Sequence, residues 1–205
     1  MRLSTRLDPD RHEKMHNLTD FGDTAVVLPL SVVISSWLLR YHSAKVLVPW
    51  IVALSICLTI TGLLKTYFYA CPIGPDLVSP SGHTSLSTLI YGAIALVIAA
   101  EQRRIPQISV IGAGASFIFA IAGSRVLLNA HSALEVGVGI LIGIVTLALF
   151  TLHYVRWRNE GAPLLMLVLS AIVVIAVFHG QELPVELILH AIGRHLRLAS
   201  FACIR

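Results

Sequence analysis

The chain has 205 residues, of which 56% are hydrophobic and only 13% charged, about half the ~25% usual in soluble domains. With a mean hydropathy of +0.82, this excludes a disordered chain and a disulfide scaffold, and one water-soluble core of this size cannot hide so much apolar sequence. Lys and Arg number 15 against 11 Asp and Glu, net +4, a mild basic excess rather than the stripe of a nucleic-acid binder.

Crossing a hydrocarbon layer of ~30 Å takes about 20 apolar residues, with roughly 17–25 tolerated. Six stretches qualify: 21–39, 46–64, 84–100, 105–124, 136–155 and 161–178. Backbone groups in lipid must bond internally, and these runs are apolar all round, so helices are expected rather than barrel strands. Thr19 or Asp20 can cap the first span, with Asp23 in its first turn. In the tail, Val185, Ile188, Leu189, Ile192, Leu196 and Ala199 fall on one side of a helix. Glu186, His190, Gly193, Arg194 and Arg197 fall on the other, as in an interfacial amphipathic helix or a short helix packed on the bundle. The expected fold class is therefore all-α: a polytopic membrane bundle of six transmembrane helices plus a C-terminal amphipathic helix. One membrane domain covers 1–205, with a polar juxtamembrane segment at 1–20, a core at 21–178 and a tail at 179–205.

Arg40, Lys45, Arg103, Arg104, Arg156 and Arg158 gather in the loops at one end, which predicts that end to be cytoplasmic. Loops 65–83 and 125–135 then face outward. Trp37, Trp50 and Trp157 lie near span ends and suit the interfacial belt. The three cysteines, Cys57, Cys71 and Cys203, are an odd number without CxxC spacing, so no bridge or metal site is expected.

The outward loops collect nearly every polar group able to do chemistry: Lys65, Asp76, Ser79, Ser81, His83, Arg125, Asn129, His131 and Glu135. Asp76 suits a turn better than a catalytic acid. Two cations, two imidazoles and a carboxylate at converging span ends are what an anionic phosphate ester requires. His131 and Glu135, at i and i+4, share a face if the fifth span begins there. A carboxylate on one ring nitrogen fixes the tautomer and leaves the other to attack, which makes His131 the candidate nucleophile. His83 is the candidate acid and base. Lys65 and Arg125 can hold phosphoryl oxygens. Ser81 and Gly82 sit at a helix start, where free N–H groups favour an anion and Gly82 permits close approach.

The spacing is more specific than the composition. Pro80-Ser81-Gly82-His83 opens the third span, Ser124-Arg125 is followed after five residues by His131, and Glu135 comes four residues later. This resembles the signature of the type 2 phosphatidic acid phosphatase family, K-x6-R-P, P-S-G-H and S-R-x5-H-x3-D. The second part matches in full, and the third has Glu135 for Asp. The first keeps Lys65, but Cys71-Pro72 stands one residue before the expected Arg-Pro, removing one bidentate phosphate donor.

The resemblance implies an integral-membrane, metal-independent phosphatase without a cofactor, acting on a lipid phosphate or diphosphate through a phosphohistidine. It gives the same residue roles: His131, His83 and Glu135 catalytic, and Lys65, Ser81, Gly82 and Arg125 phosphate-binding. The implied partners are the lipid substrate and membrane lipids, with no nucleic acid. The expected location is a bacterial inner membrane with the site facing the periplasm. A lipid phosphotransferase using the same site, and a non-catalytic lipid-phosphate binder or transporter, are the alternatives.

Overall fold

The computed structural model describes residues 9–71, 79–102, 104–181 and 183–198. Pro72, Asp76, Arg103 and Cys203 lie outside the described residues, which hold helices and no strand. In chain order the helices are α1 (Pro9–Asp20), α2 (Thr24–Tyr41), α3 (Ala44–Ala70), α4 (Gly82–Glu101), α5 (Gln107–Leu127), α6 (Ala133–Trp157), α7 (Leu164–Phe178) and α8 (Val185–Leu198).

Among the described residues, five helical stretches are long and apolar enough to cross a membrane: 12–41, which runs from α1 through α2, then α3, α4, α5 and α6. The expected sixth span is shorter than the sequence suggested. Pro163 caps α7, which then runs for only 15 residues, or ~22 Å at the α-helical rise. At the first span, Asp23 is itself the N-cap of α2. Its carboxylate accepts the Ala25 N–H at 2.8 Å, while Thr19 and Asp20 close α1 instead.

The buried helix is α4, enclosed along Thr84–Tyr91. It packs most closely on α6, through a pair of glycines four apart. A Cβ on Gly139 would lie 2.7 Å from the Ser81 carbonyl oxygen, and one on Gly143 2.7 Å from that of Ser85. Small residues at this spacing let two membrane helices meet backbone to backbone, and the contact fixes the α4 N-terminus beside the start of α6.

Beneath the polar end, Leu30, Ile34, Leu89, Trp50, Phe150 and Tyr154 form the core. Leu39, Ile108, Phe119, Leu141, Leu152 and Ile172 point outward, as lipid-facing positions do. Only Trp157 behaves as a belt residue, exposed with the Lys45 ammonium 4.0 Å over its ring. Trp37 and Trp50 are core residues instead, their indole N–H groups satisfied by the Pro163 carbonyl and the Ser35 hydroxyl.

The end opposite the two motif-bearing loops is closed by Glu101. Its carboxylate takes the Tyr154 hydroxyl at 2.9 Å, the Arg158 guanidinium at 3.1 Å and the Gly161 N–H at 2.9 Å. Arg158 is thus an ion-paired tie between α4 and the α6–α7 loop as well as a loop charge.

Candidate active site

The centre is built on the first turn of α6. Ser132 is the N-cap: its hydroxyl accepts the Glu135 N–H at 3.2 Å, and Glu135 Oε2 accepts the Ser132 N–H at 3.0 Å. This capping box favours Glu at its third position, because the side chain must reach back to the cap. The same Oε2 lies 2.9 Å from His131 Nδ1, and Oε1 accepts the Ser79 N–H at 2.7 Å. The carboxylate takes its proton partner at Nδ1, so a neutral His131 carries its lone pair on Nε2. Glu in place of the signature's Asp is therefore built into the helix start.

His131 does not share a helical face with Glu135, since α6 begins only at Ala133. A loop turn brings the two together. Asn129 adopts φ 55°, which Asn tolerates, and the Ala130 and His131 N–H groups return to the Arg125 carbonyl at 3.0 and 3.2 Å. That turn folds His131 back over the end of α5.

The start of α4 supplies the facing wall. Ser81 is fully buried and caps the helix: its hydroxyl accepts from Thr84, and its N–H donates to the Glu135 carbonyl at 3.1 Å. Its backbone N–H is therefore not free to take an anion, as the sequence suggested. The first-turn N–H groups of Gly82 and His83 make no intrahelical bond. A Cβ on Gly82 would stand 3.2 Å from Lys65 Cε, which places the lysine over that helix end. Arg125, in the last turn of α5, reaches the Thr19 hydroxyl at 3.3 Å through Nη1.

Two carboxylates join this set that the sequence did not single out as site groups. Asp23 Oδ2 lies 3.3 Å from His83 Nε2, with both side chains mostly buried. Glu186 of α8 lies 2.6 Å from the Lys65 ammonium, whose side chain is 3% exposed. Helix α8 docks on α3 through its polar and small residues. His190 stacks near Tyr69 at 5.0 Å, and a Cβ on Gly193 would come 2.7 Å from Tyr69 Cβ. Leu187, Ile188 and Ile192 are left exposed. The tail is both packed on the bundle and apolar outward, which combines the two expectations for it. The signal for Asp23 was its place beside the first span; for Glu186 it was the polar stripe at 186, 190 and 193.

A cavity of about 400 Å³ opens among Thr19, Asp23, His83, Arg125 and Glu186. Burial lowers the His131 pKa from its ordinary 6.5, and the charges of Lys65 and Arg125 add to this against the opposing pull of Glu135. Burial would raise the Glu186 carboxyl, but the Lys65 charge and hydrogen bond, with His83 and His131 beyond, hold it below the usual range. The bridge-free expectation fails at one position: Cys71, the C-cap of α3, is disulfide-bonded, while Cys57 is a free buried thiol. Sequence spacing cannot reveal a bridge that folding closes.

The cluster has two cations, two imidazoles each beside a carboxylate, and a helix start whose first N–H groups make no bond within the helix. It can bind a phosphoryl group and move it. Neither a curated protein nor a solved structure matches the chain. Residues 65–160, the stretch that runs from Lys65 through His83, Arg125, His131 and Glu135, match the PAP2 superfamily.

Proposed function

We propose that the protein is an integral-membrane, metal-independent phosphatase that hydrolyses a lipid phosphate or diphosphate through a phosphohistidine on His131. The superfamily carries phosphatase-type activity on phosphate esters, and the apolar helices put that activity at a membrane. The observation that carries the finer reading is the His131–Glu135 pair. Glu135 is held by the Ser79 and Ser132 N–H groups and by the Ser132 hydroxyl, and it holds the imidazole by Nδ1 at 2.9 Å.

In the first step the Nε2 lone pair forms a bond to phosphorus as the ester P–O bond breaks. Protonated His83 gives its proton to the departing alkoxide, which leaves as the alcohol. Lys65, Arg125 and the Gly82 and His83 N–H groups stabilise the equatorial oxygens. In the second step neutral His83 takes a proton from water, the water oxygen attacks phosphorus and the P–N bond breaks. Inorganic phosphate is released and His131 is neutral again. Glu186 holds the position beside Lys65 that a phosphoryl oxygen would take, so substrate displaces it. Ser81 shapes the helix end rather than offering its own N–H.

A lipid is favoured over a soluble ester by an apolar groove of about 220 Å³ between α4, α5 and α6. Along α4 its lining runs from Thr88 to Leu96, about 7 to 20 Å below His83 at the helical rise, where an acyl or prenyl chain would lie. The site is assigned to the outer, periplasmic face of a bacterial inner membrane. The loop charges support this, and so does the disulfide at Cys71 on the site's side, since such bonds persist in oxidising compartments. The test is phosphate release by the detergent-purified protein over a panel of lipid mono- and diphosphates in EDTA, with His131→Ala as control. Release that survives EDTA and vanishes in the variant supports the reading; turnover by His131→Ala, or its abolition by EDTA, overturns it.

A further inference from the structure

The segment before α2 lies outside the stretch that matches the superfamily, yet it is seated on the catalytic helix in register. His83, Ser87 and Tyr91 are successive turns on one face of α4. Opposite them run Asp23, Gly22 and Phe21. The Tyr91 hydroxyl donates to the Phe21 carbonyl at 2.6 Å. A Cβ on Gly22 would lie 2.9 Å from Ser87 Oγ and 2.9 Å from Ile121 Cγ2, so only glycine lets the turn close this far onto α4 and α5. Asp23 Oδ2 then stands 3.3 Å from His83 Nε2. Its other oxygen is spent on the Ala25 N–H at 2.8 Å, which fixes the carboxylate's orientation. The Leu183 N–H also donates to this carboxylate, so Asp23 is held for reasons unrelated to His83, and Oδ2 is aimed by those constraints.

We infer that Asp23 is the positioning residue of the acid–base histidine, so that the site contains two His–carboxylate pairs, one for each chemical role. The assignment rests on the phosphatase reading above and extends it to a residue of the N-terminal turn. With Nε2 engaged by Asp23, His83 presents Nδ1. Protonated, it donates from Nδ1 to the leaving oxygen; neutral, it keeps its proton on Nε2 and accepts the proton of water at Nδ1. The other charged groups near His83 are Glu186, Arg125 and Asp20, which line the same cavity, and Lys65 over Gly82. Of these ionisable groups, Asp23 alone makes an ion-pair contact with the ring. Asp23 touches no reacting atom; it acts through His83.

The variant that separates this role from helix capping is Asp23→Asn. Asn caps as well as Asp, so α2 keeps its start while the carboxylate is lost from His83. Asp23→Ser, which also caps but is too short to reach the ring, gives an independent second variant. Leaving-group dependence is the readout, since a buried structural role does not distinguish substrates. An alkyl phosphate needs its oxygen protonated as it departs, whereas p-nitrophenolate leaves unprotonated. Both variants should lose about 10- to 100-fold in kcat/KM on the lipid phosphate, part of the ~10²–10⁴ that a general acid contributes. They should keep wild-type kcat/KM on p-nitrophenyl phosphate, which reports only the steps up to the phosphohistidine and needs no acid, while the slower attack of water lowers kcat on both substrates; the thermal midpoint should be unchanged. Equal losses of kcat/KM on both substrates, or no loss of kcat/KM on the lipid, overturn the assignment while leaving the phosphatase reading intact, provided wild type turns over and His131→Ala does not. A wild-type protein without EDTA-resistant turnover overturns that reading and this assignment together.

Discussion

At the scale of single residues, the site turns on how two carboxylates are held. Glu135 serves both as the third residue of a capping box and as the orienter of His131. Restoring the signature residue with Glu135→Asp should therefore lower kcat rather than raise it. The shortened side chain gives up a bond to Ser79, Ser132 or His131, worth roughly 1.5–3 kcal/mol when charge-assisted, or about 10- to 150-fold in rate. Steady-state kinetics with both proteins checks this, and equal or faster turnover would contradict it.

The pH dependence follows from burial of His131. Its pKa lies below 6.5, and in the proposed mechanism only the neutral ring attacks. Activity is thus present above that lowered value and is lost as the pH falls through it. The acid limb of kcat/KM should lie below pH 6.5; a limb at or above the ordinary value would contradict the assignment. The candidate groups His131, His83, Arg125 and Lys65 could be picked out in the sequence, because motif spacing marks them. Asp23 and Glu186 were not legible as site groups, since they reach it from segments that lie far from the motifs in the chain and close to them only after folding.

Among elements, the α4–α6 contact and the α8 strap set the geometry. Gly143→Leu should push α4 away from α6, because the added atoms collide with the Ser85 carbonyl and Thr88. Overpacking of this kind costs about 1–3 kcal/mol, and the shift should uncouple Ser81 from Glu135. The expected outcome is lower thermal stability together with lost turnover; unchanged values of both would contradict the packing account. Helix α8 brings Glu186 to Lys65, and in the proposed mechanism the carboxylate competes with substrate. Glu186→Gln should lower KM for the phosphate substrate a few-fold with little change in kcat, in keeping with the ~0–1 kcal/mol worth of partly exposed ion pairs. A raised KM would instead make Glu186 a substrate-binding group. Helix existence was readable from hydropathy, but boundaries were not. Pro163 shortens α7 to 15 residues, and the face on which α8 docks depends on Gly193 fitting against α3, which periodicity alone does not reveal.

For the whole molecule, the helices collect the chemistry at one end and a structural ion-pair knot around Glu101 at the other. The loop charges at 40–45, 101–106 and 156–160 orient that arrangement, and the orientation is testable in intact cells. In a cysteine-free background, a membrane-impermeant maleimide should label Asn129→Cys and spare Arg104→Cys until the membrane is opened; the reverse pattern would put the site in the cytoplasm. The all-helical membrane class was legible because composition and run length follow directly from the bilayer's thickness. The count of spans was less so, since five stretches have the required length and α7 falls short. The disulfide at Cys71 was hidden for the same reason as Asp23: proximity belongs to the fold.

The central claim is that the phosphoryl group passes through His131. The measurement that tests it most directly is alkaline quench of the His83→Ala protein during turnover of p-nitrophenyl phosphate, whose leaving group needs no acid, followed by peptide mass spectrometry. Without the base that activates water, the intermediate should accumulate. The expected result is a phosphoryl adduct on His131, stable to alkali, lost in acid and absent from the His83→Ala, His131→Ala double variant. Turnover with no adduct on His131, or an adduct on another residue, would contradict the mechanism.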